Sequence, residues 1–118
     1  MRILVIDDEP AVAGVLAEAL REEGHDVVVA GGGEEGLQVL EQNPPDAVFL
    51  DIVMPGMDGI EVLRRIRVVY PDLPVIILTG WASPGQLESA RRLGVTDVLQ
   101  KPVALRTLSS ALAQSYRP

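Results

Sequence analysis

Three aspartates, one threonine and one lysine stand where short apolar runs of the chain end. Asp7 and Asp8 follow Ile3–Ile6, Asp51 follows Ala47–Leu50, Thr79 follows Val75–Leu78, and Lys101 comes just after a weaker run around Val98–Leu99. Taken singly, each reads as an ordinary polar loop residue. Their recurrence at successive run ends favours a shared site, because neighbouring strands would bring all five to one edge of a sheet. Carboxylates gathered in this way repel: at about 5 Å and an effective dielectric of about 20, each pair costs roughly 3 kcal/mol. A cation must share the site, and Mg2+ suits it, since it prefers oxygen ligands and keeps some of its waters at an open surface. Three carboxylates, one Mg2+ and Lys101 sum to formal neutrality, and a neutral oxygen-lined site with a hydroxyl beside it is well arranged for a phosphoryl group.

Lys101 is the only lysine in the chain; every other cationic side chain is arginine. A solvated surface is served equally well by either, whereas a compact ammonium on a flexible stem can reach an anion from a neighbouring strand. A single lysine can also fall anywhere by chance, so this clue supports the cluster and does not stand alone.

The elements that would position these residues follow from periodicity. Apolar runs at Ile3–Ile6, Val27–Ala30, Ala47–Leu50, Val75–Leu78 and around Val98–Leu99 have strand length and are separated by amphipathic stretches of helix length. Helical spacing places Val12, Val15, Leu16, Ala19 and Leu20 on one apolar face, Ile60, Leu63 and Ile66 on another, and Leu105, Leu108 and Leu112 on a third. Pro10 suits a first helical turn, Ser83-Pro84 reads as an N-cap followed by proline, Asp58-Gly59 starts the third helix, Gly24 and Gly94 end helices, and Pro71 stops the third. Continuously apolar strands suit a parallel sheet covered on both sides, which gives an α/β, doubly wound fold. Ligands in such sheets bind beyond the carboxyl ends of the strands, where the strand order reverses.

Composition narrows the chemistry. The 118 residues suffice for one domain with a single core, expected over 1–118, and 47% hydrophobic with 23% charged is a globular balance. A net charge of -7, from 17 acidic and 10 basic residues, disfavours direct nucleic-acid binding. With no cysteine and only His25, thiolate and imidazole metal sites are excluded. The N-terminal apolar run is too short for a signal peptide or membrane span, so no membrane association and a cytoplasmic location are expected.

The pieces VIDDEP at Val5–Pro10, FLDIVMPGMDG at Phe49–Gly59, ILTG at Ile77–Gly80 and QKP at Gln100–Pro102 resemble the receiver domain of bacterial two-component response regulators, across essentially the whole chain. The resemblance implies a flavodoxin-like (βα)5 fold of strand order 2-1-3-4-5 and a phosphorylation-dependent signalling switch. It implies that Asp51 is the phosphoacceptor and that Asp8, Asp51 and the backbone carbonyl of Val53 ligate Mg2+ directly, with Asp7 acting through water. Thr79 would meet the phosphoryl group, Lys101 would pair with one of its oxygens, and a cis peptide would join Lys101 to Pro102. The phosphodonor would be a sensor histidine kinase or a histidine phosphotransfer protein. The listener would be an unidentified output protein or effector domain, and a phosphorylation-dependent dimer is also allowed. Such a domain is not an enzyme in the ordinary sense, although it assists its own phosphorylation and dephosphorylation. An aspartate is already ionised at neutral pH and needs no general base, so the absence of a catalytic histidine fits.

Three other readings compete. Gly31–Gly36 fits G-x-G-x-x-G, but Glu34 and Glu35 in the first helical turn would repel a pyrophosphate, and a plain turn is preferred. A phosphatase with an aspartyl nucleophile would need a cap for which the chain has no room. A receiver-like binding module that is never phosphorylated would need neither Asp51 nor Mg2+. One departure from the resembling family also matters: an aromatic residue often stands three positions before the lysine, and here that position is Val98, stiff at χ1 and without a ring to swing. Val53 and Trp81, two residues after Asp51 and Thr79, are both apolar at positions that flank the path of an attacking water in that family.

Overall fold

Runs rich in Val, Ile and Leu favour extended backbone, because β-branched side chains are restricted at χ1 and pack well on a pleated surface. In the computed structural model, which describes residues 1–54, 56 and 58–115, five such runs form β1 (Arg2–Ile6), β2 (Asp26–Ala30), β3 (Ala47–Asp51), β4 (Val75–Thr79) and β5 (Asp97–Gln100). Between and after them lie α1 (Pro10–Glu22), α2 (Gly33–Gln42), α3 (Gly59–Val69), α4 (Pro84–Arg92) and α5 (Leu105–Ser115). All strands pair in parallel, in the order β2-β1-β3-β4-β5. This is the doubly wound fold read from periodicity, with the order the resemblance implied.

Helices cover both faces of the sheet, so successive strand residues enter different cores. Ile3 and Val5 of β1 pack with Leu16 and Leu20 of α1 and Leu108 and Leu112 of α5. Leu4 and Ile6 pack on the other side with Leu40 of α2, Leu63 and Ile66 of α3 and Ala90 of α4. The strands β3 and β4 are buried along their whole length, which is why they carry no alternation of polar residues. Phe49, at the centre of β3, is fully buried, and burying a side chain of this size contributes roughly 1.5–3 kcal/mol.

The punctuation residues act as read. Gly24 and Gly94, both at positive φ, close α1 and α4 in the same way: Gly24 N–H donates to Arg21 O and His25 N–H to Leu20 O, as Gly94 does to Arg91 and Val95 to Ala90. Asp58 caps α3 by accepting from Ile60 N–H. Ser83 caps α4 in a reciprocal box with Gln86, a partner that the sequence reading did not include.

The face of α1 needs correction. The helix buries Ala13, Leu16, Ala17 and Leu20, while Val12 is 40% and Val15 71% exposed. The apolar stripe is wider than the contact, and the small Ala13 and Ala17 let the helix sit close to the sheet, so the seam runs along them and turns the valines outward. In α5, similarly, Leu108 and Leu112 are buried and Leu105 is partly exposed.

Candidate functional site

The site forms because the parallel register brings the carboxyl ends of the strands level. Ile6 pairs with Leu50, Asp51 with Leu78 and Thr79 with Gln100, so Asp7, Asp51, Thr79 and Lys101 stand at one edge. Since β1 lies between β2 and β3, this edge includes the point where the strand order reverses.

The two buried aspartates are oriented by their own chains. Asp7 Oδ1 accepts from Glu9 N–H at 3.0 Å, and Asp51 Oδ1 accepts from Val53 N–H at 2.9 Å. Each is an aspartate bonded to the backbone two residues on, the same local turn at the ends of β1 and β3. Gly59 keeps the second turn tight, because a Cβ there would collide with the backbone of Asp51 and Ile52. In the MPGMDG stretch after Asp51, Pro55 and Met57 lie outside the described residues, and the expectation that this stretch shapes the loop rests here on Gly59 and the Asp58 cap.

The free oxygens converge on Lys101. Its Nζ lies 2.7 Å from Asp7 Oδ2, 2.9 Å from Asp51 Oδ2 and 3.1 Å from Glu9 Oε1. The contacts to Asp51 and Glu9 are hydrogen bonds, whereas the closer approach to Asp7 is an ion pair without hydrogen-bond alignment. Buried Asp7 Oδ2 therefore has no hydrogen-bond donor among the described residues. Burial alone would push the Lys101 ammonium down, but its contacts with Asp7, Asp51 and Glu9 hold it above its ordinary value. Burial pushes the Asp51 carboxyl up, against the lowering pull of Lys101 and the Val53 N–H, and the charge of Asp7 adds to the rise.

Carboxylate oxygens of Asp7, Asp8, Glu9 and Asp51 lie within 4.8 Å of one another. Glu9 is the member that sequence reasoning missed; the acidic run from Asp7 through Glu9, ahead of Pro10, was the available signal. Its presence also corrects the charge count. Four carboxylates face one ammonium, so three negative charges remain and one divalent cation leaves a single negative charge rather than neutrality. Oxygen-only donors, uncompensated charge and a buried oxygen lacking a donor fit Mg2+.

Thr79 is buried, but its hydroxyl serves its own loop: it donates to Trp81 O at 2.8 Å and accepts from Trp81 N–H at 3.2 Å. Lys101 N–H donates to Thr79 O, tying β5 to β4 at this edge, and the Lys101–Pro102 peptide is cis, as the resemblance implied. The glycine-rich turn before α2 is a structural turn, since the Glu35 carboxylate already takes the Gly31 N–H that a phosphate would use.

Comparison with known proteins agrees with this fold. The family model of the response regulator receiver domain matches residues 3–113. Among curated proteins, the response regulator MprA of a Mycobacterium species (strain KMS) is 42% identical over 117 residues, covering 99% of this chain and 51% of that protein. The chain thus spans about half the length of the curated relatives it matches. Among solved structures, a CheY-like response regulator receiver domain protein from Methanospirillum hungatei is 30% identical with a TM-score of 0.92, covering 96% of this chain and 90% of that one. The receiver domain of NtrX from Brucella abortus is 32% identical with a TM-score of 0.89, covering 96% of each chain. The fold and the acidic edge define a receiver, the signalling domain of two-component systems. This chain belongs to the response regulator receiver domain family.

Proposed function

We propose that the chain, read as one receiver unit over 1–118, is a phosphorylation switch that takes a phosphoryl group on Asp51. The observation that carries this is the state of Asp51: a buried carboxylate with one oxygen fixed by Val53 N–H and the other facing Lys101, in a cluster of acids. In the transfer, an Asp51 oxygen bonds to phosphorus as the phosphorus–nitrogen bond of a phosphohistidine breaks, and the imidazole departs with the bond's electrons and takes up a proton. Asp8, Asp51 and the Val53 carbonyl would hold Mg2+ directly, with Asp7 acting through water. The bound ion would supply charge neutralisation for the equatorial oxygens of a loose transition state. Lys101, already paired with Asp51, would supply a fixed positive charge, and Thr79 would supply a hydroxyl once released from Trp81.

The donor would be a sensor histidine kinase or histidine phosphotransfer protein, and the output would be altered binding to an effector domain or partner, including a dimer formed on phosphorylation. The net charge of -7 supports protein partners over direct nucleic-acid contact. A cytoplasmic location belongs to this reading, since the proposed phosphodonor presents its phosphohistidine there; no helix among the described residues is long and apolar enough to cross a membrane. Incubation with a small phosphodonor, followed by intact mass, tests the core of this: one phosphoryl adduct with Mg2+ and none with chelator. Equal uptake in chelator would reject the metal-dependent mechanism.

A further inference from the structure

Beside the site, the fold leaves a large apolar side chain in solvent. Trp81, the only tryptophan, is 71% exposed in the short connection between β4 and α4. It helps to line a cavity of about 270 Å³ together with Thr79, Gly80, Ala82, Leu87, Val98 and Gln100. Ligand pockets run from about 300 to 1,000 Å³, so this space is better matched to a side chain than to a small molecule.

Among the described residues, the Trp81 backbone is hydrogen-bonded by one hydroxyl. Thr79 Oγ1 bonds both the carbonyl and the N–H of Trp81, and the following segment is fixed separately by the Ser83–Gln86 box of α4. Residues 80–82 are therefore a short hinge whose position depends on where the Thr79 hydroxyl points. Gly80 has open space where a Cβ would stand, and as a glycine it has a wider choice of backbone angles than other residues.

We propose that Trp81 is a conformational arm: when the Thr79 hydroxyl leaves the Trp81 backbone for an anion held at Asp51, the indole turns into the cavity beside Val98. Valine at position 98 is small enough to leave the seat open, where a ring would occupy it. The move would hide a large apolar surface, an outcome favoured for an indole, and would reshape the β4–α4 surface presented to partners. The inference rests on the reading of Asp51 as phosphoacceptor.

The test uses the whole chain with Mg2+ and beryllium fluoride, a phosphoryl mimic, whose binding is followed independently by fluorine NMR. On binding, Trp81 emission is expected to shift to shorter wavelength and its quenching by acrylamide to fall. In Val98→Phe, where the seat is filled, the mimic is expected to bind while Trp81 stays open to quencher. Binding of the mimic with unchanged quenching in the parent protein overturns the arm alone. Protection of Trp81 that persists in Val98→Phe overturns the seat. Absence of any bound-fluoride signal overturns the phosphoacceptor reading and the arm with it.

Discussion

At Lys101, three carboxylate oxygens surround one ammonium within 3.1 Å, a geometry that a point charge satisfies and a planar guanidinium does not. Lys101→Arg is expected to slow phosphoryl uptake by on the order of tenfold, less than the roughly 10²–10³ that outright removal of an electrostatic group costs, because the charge is kept but displaced. An unchanged uptake rate would remove the role given to Lys101. At Asp51 the sign of the stability effect differs from that of an ordinary salt-bridged acid. Burial holds its carboxyl above its ordinary value, so the folded protein binds that proton more tightly than the unfolded chain does. The ionised form weakens the metal-free fold, a cost present above the folded value and relieved as the pH falls through it. In chelator at neutral pH, Asp51→Asn should be more stable than the parent by on the order of 1 kcal/mol, or a few degrees in Tm, with the gap closing on acidification. Denaturation curves across that range check it, and a less stable Asp51→Asn would contradict it. Asp7, Asp8, Asp51, Thr79 and Lys101 were legible because strand ends can be counted. Glu9 was not, because its reach back to Lys101 depends on how the chain turns into α1.

Among the elements, strands were the easier reading, since a parallel sheet buried on both faces demands unbroken apolar runs. The closing glycines were equally clear, because positive φ restricts the choice of residue. The seam of α1 was not, since a count of apolar residues cannot tell a close-packed alanine edge from an exposed valine edge. That exposed edge has a consequence for partner binding. Val12, Val15 and Ala19 of α1, with Pro102 and Leu105 before and within α5, line an apolar groove that also includes Lys101. Because it shares Lys101 with the acidic site, it is the surface on which docking of the proposed phosphodonor can be tested. Val15→Asp should change stability by no more than about 0.5 kcal/mol, as expected for an exposed position, and leave uptake from a small phosphodonor intact. Transfer from the cognate histidine kinase or phosphotransfer protein should drop. Equal slowing with both donors would place the effect in the site rather than on the surface. Val53, 48% exposed beside Asp51, lends itself to a second comparison: Val53→Asn should shorten the lifetime of the aspartyl phosphate by offering water a polar guide, whereas a parental decay rate would leave Val53 with no part in shielding.

For the molecule as a whole, three uncompensated negative charges at one edge make Mg2+ binding and folding stability two readings of the same repulsion. At about 100 times its dissociation constant, a ligand of the folded state adds roughly 2.7 kcal/mol, which corresponds to a Tm rise on the order of 10 °C for a domain of this size. Asp8→Asn should lose most of that rise; an equal rise in both proteins would mean nonspecific ion effects. The fold as a whole was legible because a single pattern, apolar strand then amphipathic helix, recurs five times. The identity of the output was not, because docking depends on the shape of surfaces that periodicity does not encode. The central claim is that the phosphoryl group resides on Asp51, and an acyl phosphate can be trapped chemically. Phosphorylated protein is reduced with borohydride, which converts an aspartyl phosphate to homoserine, and the reduced position is located by peptide mass spectrometry. Homoserine at position 51, dependent on Mg2+ during phosphorylation, is the expected result; homoserine at any other aspartate, with residue 51 unreduced, would contradict it.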